Sequence, residues 1–417
     1  MRPMMLLGWI PALAVIGCGG GDDDAVGDGG GDAGTDSDTD ADSDADGGAD
    51  ASADCEGEVV ELADPGLEAA VREAIGKPSG ALCAEDVEGL TELIAGDRGI
   101  ADLGGIQALS SLTLLVLAKN EIIDVAPLAE LDSLMGLLIH DNQIVDITPL
   151  GGLSSLVSLS ARYNQIVYLP PTAELAALNG LDLYENMISD IAPLADLDSI
   201  EYLDLGNNQI SDLAPLAGLT TLVGLELGGN EIADLSPLAG LDAITGLSLE
   251  ENHISDLSPI SGLSSLSSLS AGENEIVDLS PLAEIDSLWY LNLGGNPIVD
   301  VSPLTALAGI TELYLGNCLL VDVSPLGEMS WLEHLALGGN QITDLTPVTG
   351  LSAIHEMGLE SNEITDLSPL VASEGIGGGD WVYVTDNPID EAAQAANIAA
   401  LCDIYVNLVP YCYFIVD

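Results

Sequence analysis

Apolar residues recur along the chain with a period of 22 residues, from about residue 90 to residue 387. One copy reads Leu-x-x-Leu-x-Leu-x-x-Asn-x-Ile and runs from Leu222 to Ile232. Leu225 and Leu227 alternate as in a short strand with one buried face. Because no single copy can bury its own apolar edge, the copies must stack on one another and both ends need caps. The pattern therefore predicts an α/β solenoid with short parallel strands on its concave side.

An Asn recurs at the same point of almost every repeat, within an otherwise apolar turn. Its amide must bond backbone groups there, which predicts a hydrogen-bonded ladder along the solenoid. Once the position is occupied by Cys, whose thiol is small and still a weak donor. The last Asn follows after 25 residues, and the Gly-rich stretch 375–379 accommodates the insertion. The ladder positions are Asn120, Asn142, Asn164, Asn186, Asn208, Asn230, Asn252, Asn274, Asn296, Cys318, Asn340, Asn362 and Asn387.

Pro and Asp recur in step with the ladder. Ser236-Pro237 predicts a cap followed by the first position of a short helical or 3₁₀ turn on the convex side. An Asp stands four residues after the ladder position, and only Tyr168 breaks this row between residues 124 and 366. The row is either a calcium ladder or a set of carboxylates that accept backbone N–H groups of the next turn. We favour the structural interpretation, because ligand sites are rarely spread evenly along a fold.

The concave face should display the side chains six, four and two residues before each ladder position. Tyr and Trp are enriched at these positions, at Tyr184, Tyr202, Tyr290, Tyr314, Trp381 and Tyr383. Such side chains supply large, stiff and amphipathic contact area, which is favoured in binding sites. The enrichment predicts a recognition surface on this face.

Three carboxylates should form a row across successive strands of that face, at Asp182, Asp204 and Glu226. The strand spacing places them about 4.8 Å apart, and like charges directly opposite in a sheet are destabilising. No Lys or Arg follows Arg162, so a bound cation or a partner's Lys or Arg is the expected remedy. Screening by solvent and salt is the alternative.

A second row mixes aromatic, acidic and His side chains on successive coils. This mixture suits a polar protein or glycan surface, and ordinary surface variety is the alternative. Its members are Tyr290, Glu312, His334, Glu356 and Trp381.

The charge of the chain limits the class of partner that it can bind. The 417 residues include 6 Lys+Arg against 69 Asp+Glu, which gives a formal net charge of -63. Phosphate neutralisation needs Lys and Arg, so nucleic acid is excluded as a partner. The expected partner is a protein or glycan that is basic or bridged by cations, bound by a monomer. A passive acidic envelope coat or spacer that sequesters divalent cations is the alternative function.

Catalysis is not predicted. His140 with Asp141 or Asp182 could serve as a catalytic pair, but an open curved sheet offers no enclosed pocket. The chain also has no nucleophile motif such as G-x-S-x-G. We therefore expect a binding protein with no enzymatic activity, cofactor or specific metal site.

The N-terminus predicts export. Residues 1–17 carry one positive charge, at Arg2, and an apolar run too short for a comfortable membrane span, as in a signal peptide. Val15-Ile16-Gly17-Cys18 resembles a bacterial lipobox, so Cys18 is the expected lipidation site. Residues 18–54 continue as an Asp- and Gly-rich spacer that is expected to be disordered. Gly19 after the Cys favours the outer membrane, in a periplasmic or surface orientation.

The 22-residue length and the pattern I-x-D-[LIV]-x-P-L resemble those of the internalin-type leucine-rich repeat proteins of bacterial surfaces. The resemblance implies a right-handed solenoid with 3₁₀ or short helical turns on the convex side. It covers residues 90–387, with a helical N-terminal cap at 55–89 and a C-terminal cap at 388–417. The C-terminal cap should contain a helix through Gln394 to Leu401 and a final strand. Because Cys18 is the expected anchor, the host-receptor role of some internalins is not carried over.

Two pairs of Cys lie within the predicted caps, Cys55 with Cys83 and Cys402 with Cys412. An exported chain permits disulfide bonds, which would staple the terminal units by about 2–4 kcal/mol each. A metal site is the competing interpretation, but no His lies near either pair in the sequence.

Overall fold

The computed structural model of the chain describes residue 55, residues 57–404 and residues 406–412. The expected signal peptide, Cys18 and the spacer lie outside these residues. Each coil contributes one three-residue strand, and consecutive strands pair in parallel in chain order. Leu203 lies opposite Leu225, and Leu225 lies opposite Leu247, so the register advances by one repeat at every step. The predicted solenoid and its period are confirmed.

The described residues form one 15-stranded sheet. Its strands are β1 (Glu92–Ile94), β2 (Leu114–Val116), β3 (Gly136–Leu138), β4 (Ser158–Ser160), β5 (Gly180–Asp182), β6 (Tyr202–Asp204), β7 (Gly224–Glu226), β8 (Gly246–Ser248), β9 (Ser268–Ser270), β10 (Tyr290–Asn292), β11 (Glu312–Tyr314), β12 (His334–Ala336), β13 (Glu356–Gly358), β14 (Trp381–Tyr383) and β15 (Asn407–Val409). The convex side carries 3₁₀ helices at Ile106–Ala108, Ala126–Glu130, Thr148–Gly152, Ala192–Asp196, Ala214–Leu216, Ser236–Leu238, Ser258–Ile260, Ser280–Glu284, Ser302–Ala306, Ser324–Glu328 and Thr346–Gly350. The α-helices are α1 (Pro65–Ile75), α2 (Ala84–Val87), α3 (Ser368–Ala372) and α4 (Glu391–Asp403).

The Asn ladder ties each coil to the one before it. The Asn230 amide donates to Leu205 O and Leu227 O, each at 3.0 Å, and its Oδ1 accepts from Ile210 N–H at 2.9 Å. The side chain is 7% exposed and lies between fully buried leucines. The amide oxygen thus satisfies a buried N–H, and each of the two carbonyl groups is shared with a neighbouring ladder Asn, so the predicted ladder is confirmed.

Cys318 fills only part of the ladder role. Its thiol contacts Leu293 O at 3.6 Å and Gly316 O at 3.7 Å, as the donor side of an Asn amide would. It supplies no amide oxygen, and the Ile298 N–H donates instead to Asn296 O at 2.8 Å. Elsewhere the corresponding N–H meets an Asn oxygen, as Ile276 does at Asn296.

Replacing Cys318 with Asn is therefore expected to raise the free energy of unfolding by about 1 kcal/mol, the net contribution of one added hydrogen bond. Urea unfolding followed by circular dichroism measures the change. Cys318→Ala, which removes the donor and adds nothing, should move the midpoint in the opposite direction. An Asn variant no more stable than the Ala variant would show that this coil cannot accept the amide.

The convex turns are capped by the Asp row. The Asp234 Oδ1 accepts from Ser236 N–H at 2.8 Å, and Ser236 is the first residue of its 3₁₀ helix. The prediction that Ser236 is the cap was wrong, because the residue before the turn is Leu235, which is buried in the core. The same bond forms at Asp124, Asp146, Asp190, Asp212, Asp234, Asp256, Asp278, Asp300, Asp322, Asp344 and Asp366. The structural interpretation of the row is confirmed.

Both ends of the solenoid are covered by helices and closed by disulfide bonds. In the N-terminal cap Asp64 accepts from Gly66 N–H at the start of α1, and its other oxygen accepts from Ala101 N–H of the first coil. The predicted pairs are confirmed: one bond joins Cys55 to Cys83, and the other joins Cys402 to Cys412. The predicted C-terminal helix and strand are α4 and β15.

No helix in the described part of the chain has the length and apolar character needed to cross a membrane.

Candidate binding face on the concave sheet

The concave face displays the residues that the repeat pattern assigns to it. The middle residue of each strand, such as Leu203 or Leu225, is buried in the core. Its two neighbours therefore point to the opposite side. None of the twelve candidate binding residues is buried in the core: Asp182, Tyr184, Tyr202, Asp204, Glu226, Tyr290, Glu312, Tyr314, His334, Glu356, Trp381 and Tyr383. Their role in binding stays a prediction, but their placement is compatible with it.

The carboxylates of Asp182, Asp204 and Glu226, which we call the acidic row, stand in register on β5, β6 and β7. Asp182 has partners within the chain. It accepts from the Ser160 hydroxyl at 2.8 Å, and Arg162 Nε lies 3.8 Å from its Oδ2. Asp182 thus has a hydroxyl donor and a nearby cation inside the protein, although Arg162 Nε makes no hydrogen bond to any residue that the structure describes, and the sequence did not predict these contacts.

The other two members of the acidic row form no ion pair within the described residues. Burial raises the pKa of Asp204 to about 7, although the Gly206 N–H donates to its Oδ1 at 2.9 Å and opposes the shift. The carboxylates of Asp182 and Glu226 add to the increase, and the charge of Arg162 opposes it. Burial also raises the pKa of Glu226, and the Glu250 carboxylate, which accepts from the Ser248 hydroxyl, adds to the increase. The centre of the face therefore holds two carboxyl groups for which the charged form is costly.

Two tyrosines flank the acidic row and lie along the sheet. The ring of Tyr184 lies so close to Gly206 that a Cβ there would come within 2.9 Å of it, and Tyr202 lies over Gly224 at 3.1 Å by the same measure. The Asn207 amide donates to the Tyr184 hydroxyl at 2.7 Å. These contacts fix the rings, so little side-chain entropy remains to be lost on binding.

The sequence carried a signal for this arrangement that we did not use. Gly206 and Gly224 each stand one repeat after a tyrosine. Gly228 stands one repeat before Glu250. A Cβ at Gly228 would lie 3.2 Å from Glu250 Oε2. Large outward side chains thus rest on glycines of the neighbouring coil, and the Tyr184 ring also packs edge to face with Tyr163, with centroids 5.6 Å apart.

The second row is also in register. Tyr290, Glu312 and His334 stand on β10, β11 and β12, and pairing continues to β13 and β14. The Tyr314 hydroxyl donates to Glu312 Oε2 at 3.2 Å, and the Tyr290 and Tyr314 ring centroids are 5.4 Å apart. Burial and then the Glu312 carboxylate raise the pKa of Tyr314. These groups are already engaged with one another.

At the C-terminal end, the same row presents a more open aromatic surface. Trp381 is 37% exposed and stacks on Tyr383, with centroids 6.0 Å apart. His334 Nδ1 lies 3.4 Å from Glu356 Oε2. Glu360 Oε2 is buried without a hydrogen-bond partner nearby, which the sequence did not suggest. This end offers apolar contact area together with polar atoms.

The hypothetical catalytic pair is partly assembled. His140 Nδ1 lies 2.7 Å from Asp141 Oδ2, whereas Asp182 is engaged with Ser160 and Arg162. Within the ranges that the structure describes, no group of three His, Cys, Asp or Glu side chains is placed to hold a metal ion.

Comparisons with known proteins agree with this architecture. A family model described as leucine-rich repeats in two copies matches residues 176–218 and 198–240, and a model of a single leucine-rich repeat matches residues 328–345. A search of curated protein sequences gives no significant match.

Among solved structures, an internalin (inlF) from Listeria monocytogenes is 32% identical, with a TM-score of 0.72. The match covers 79% of this chain and 95% of that one. A leucine-rich repeat protein of Leptospira interrogans is 21% identical, with a TM-score of 0.64 and coverage of 77% and 90%. The leucine-rich repeat ectodomain of a plant membrane receptor kinase from Arabidopsis thaliana is also 21% identical, with a TM-score of 0.63 and coverage of 73% and 39%. The last two similarities establish the fold only.

Proposed function

Because the chain belongs to the internalin-type leucine-rich repeat proteins, we propose that it is an exported binding protein whose concave face recognises a basic protein. One observation carries the proposal. The carboxyl groups of Asp204 and Glu226, whose charged forms are disfavoured by burial, are flanked by two tyrosine rings that pack against glycines. Solenoids of this type use their concave surface for extended contacts.

A cationic partner would relieve the electrostatic cost at the centre of the face. A Lys or Arg placed between Asp204 and Glu226 would favour their charged forms, as an opposite charge within a few ångströms does. The exposed faces of Tyr184 and Tyr202 could then contact its aliphatic stem or its charge. Arg162, after which the chain has no further Lys or Arg, already lies beside Asp182. The cation for the remaining two would therefore come from the partner.

The proposed location is the cell envelope, with the folded part held on a spacer by a lipid at Cys18. The support is the lipobox-like sequence before Cys18 and the Asp-rich composition of the residues after it. The two disulfide bonds in the caps fit an oxidising compartment. We propose the outer membrane, since Gly19 follows the Cys.

Replacing Asp182, Asp204 and Glu226 together with Ser is expected to lower recovery of the partner from envelope extract at least about tenfold, since buried charge pairs contribute strongly to binding. Pull-down at increasing salt, with photocrosslinkers at positions 184 and 202, measures the loss and locates the contact. Raising the salt should weaken the wild-type interaction progressively.

A matched control carries Asp212→Asn, Asp234→Asn and Asp256→Asn, which removes the same charge from the convex side and keeps the capping oxygens. This control should bind like the wild type. Equal losses in the two triple variants would show a diffuse electrostatic effect and contradict a concave site. Many weakly bound calcium ions with no crosslinked partner would instead favour the acidic coat.

A further inference from the structure

The coil between residues 165 and 186 departs from the repeat on its convex side. It has Tyr168 where the other coils place the capping Asp, and Leu169-Pro170-Pro171 follows. Among the described residues of this coil no 3₁₀ helix forms, whereas the coils before and after it have one at Thr148–Gly152 and Ala192–Asp196. The missing turn leaves a groove of about 530 Å³ between these two 3₁₀ helices.

Backbone hydrogen bonds hold the segment that forms the groove. Val167 N–H donates to Val145 O at 2.9 Å, and Ile147 N–H donates to Tyr168 O at 3.2 Å, so this segment pairs with the coil before it. The lining is largely apolar, with Val167, Leu169 and Pro193, and Leu169 is 6% exposed. Tyr168 stands at the rim with 59% of its surface exposed.

A carboxylate lies on each side of this apolar lining. Asp146 and Asp190 belong to the coils before and after the irregular one, and both line the groove. Each already uses Oδ1 to accept a backbone N–H, from Thr148 at 2.8 Å and from Ala192 at 2.9 Å. One oxygen of each carboxylate is left for a ligand. None of the residues that line the groove is basic.

We propose that this groove binds an alkylammonium group. Its methylene chain lies on the apolar lining, and its ammonium contacts one of the two carboxylates and the face of Tyr168, while the other carboxylate attracts it from across the groove. A guanidinium pairs best with both oxygens of one carboxylate, and one of these already accepts the capping N–H, so the compact charge of an ammonium fits better. The site is on the convex side and is independent of the concave face.

Two sources could present this chemistry: a free polyamine, or a Lys side chain of a second protein. Spermidine and a short peptide with one Lys represent them, and n-pentylamine and n-pentanol test the charge itself. Saturation-transfer NMR and calorimetry on the exported chain at about 150 mM salt, which screens diffuse attraction, measure the binding. We expect n-pentylamine to bind and n-pentanol to bind at least about tenfold more weakly.

Tyr168→Leu gives the sharpest test, because it removes the aromatic face and keeps the net charge and the apolar contact. The groove predicts that amines bind about threefold more weakly, whereas diffuse attraction to an acidic protein predicts no change.

Asp146→Asn and Asp190→Asn keep the capping oxygen and remove one charge each, so each should weaken amine binding severalfold. Asp212→Asn removes the same charge from a regular coil and should have no effect. Equal effects at all three positions, or unchanged binding by Tyr168→Leu, would overturn the proposal. Binding of spermidine alone would identify a free amine as the ligand, and binding of the Lys peptide alone would identify a protein side chain.

Discussion

Replacing Asn230 with Ala is expected to lower the free energy of unfolding by about 2–3 kcal/mol, because it leaves the buried Ile210 N–H without a partner and removes one of the two amide donors at each of two buried carbonyl groups. The amide donates to Leu205 O and Leu227 O, and its oxygen accepts from Ile210 N–H, at distances of 2.9 to 3.0 Å. Water cannot replace these bonds readily, since the side chain is 7% exposed and the leucines around it are buried. Denaturant unfolding gives the overall loss. Hydrogen exchange at the Ile210 N–H reports the local one.

Asn230→Cys provides the control, because the chain itself tolerates Cys318 at the equivalent position. A thiol can contact Leu205 O and Gly228 O, the equivalents of the groups that Cys318 contacts, but it supplies no acceptor for the Ile210 N–H. We expect the Cys variant to lose less stability than the Ala variant but more than half as much. Equal losses would mean that the thiol contributes nothing and that the amide oxygen accounts for the whole effect.

The features that could be predicted from the sequence are those that the repeat enforces. A period of 22 residues sets the register, so Asp204 and Glu226 had to face each other once the coils stacked. The buried Asn required backbone partners, and these were found. The cysteine pairs followed from their positions in the caps.

What the sequence did not predict depends on side-chain orientation. Arg162 and Ser160 both reach Asp182 from the neighbouring coil, which only three-dimensional contacts reveal. Ser236 was expected to cap its turn with its own side chain, but Asp234, two residues upstream, accepts from the Ser236 N–H instead. The convex groove results from a missing turn at Tyr168, and the sequence showed the substitution but not the space it leaves.

Asp204→Asn is expected to stabilise the protein at pH 8 by about 2–4 kcal/mol while leaving its stability near pH 4 almost unchanged. Burial raises the pKa of Asp204 from its ordinary 3.8 to about 7 in the folded state. Between these two values the folded protein keeps a proton that the unfolded chain has lost. The contribution of Asp204 is therefore fully present below about pH 4 and declines as the pH rises to about 7. An amide does not titrate, so the variant lacks this decline.

Chemical unfolding of both proteins between pH 4 and pH 8 tests this, and the difference between the two curves isolates Asp204 from the many other carboxylates. Asp212→Asn removes the same charge from an exposed capping position and should not reproduce the effect. Parallel curves for Asp204→Asn and the wild type would show that the buried carboxyl group is not protonated near neutral pH. If the variant lacks the loss of stability between pH 4 and pH 8, then Asp204 titrates near neutral pH in the free protein. The charge of a basic partner would then lower the pKa of Asp204. Binding should then release a proton near pH 7, and this release should be absent in the Asn variant.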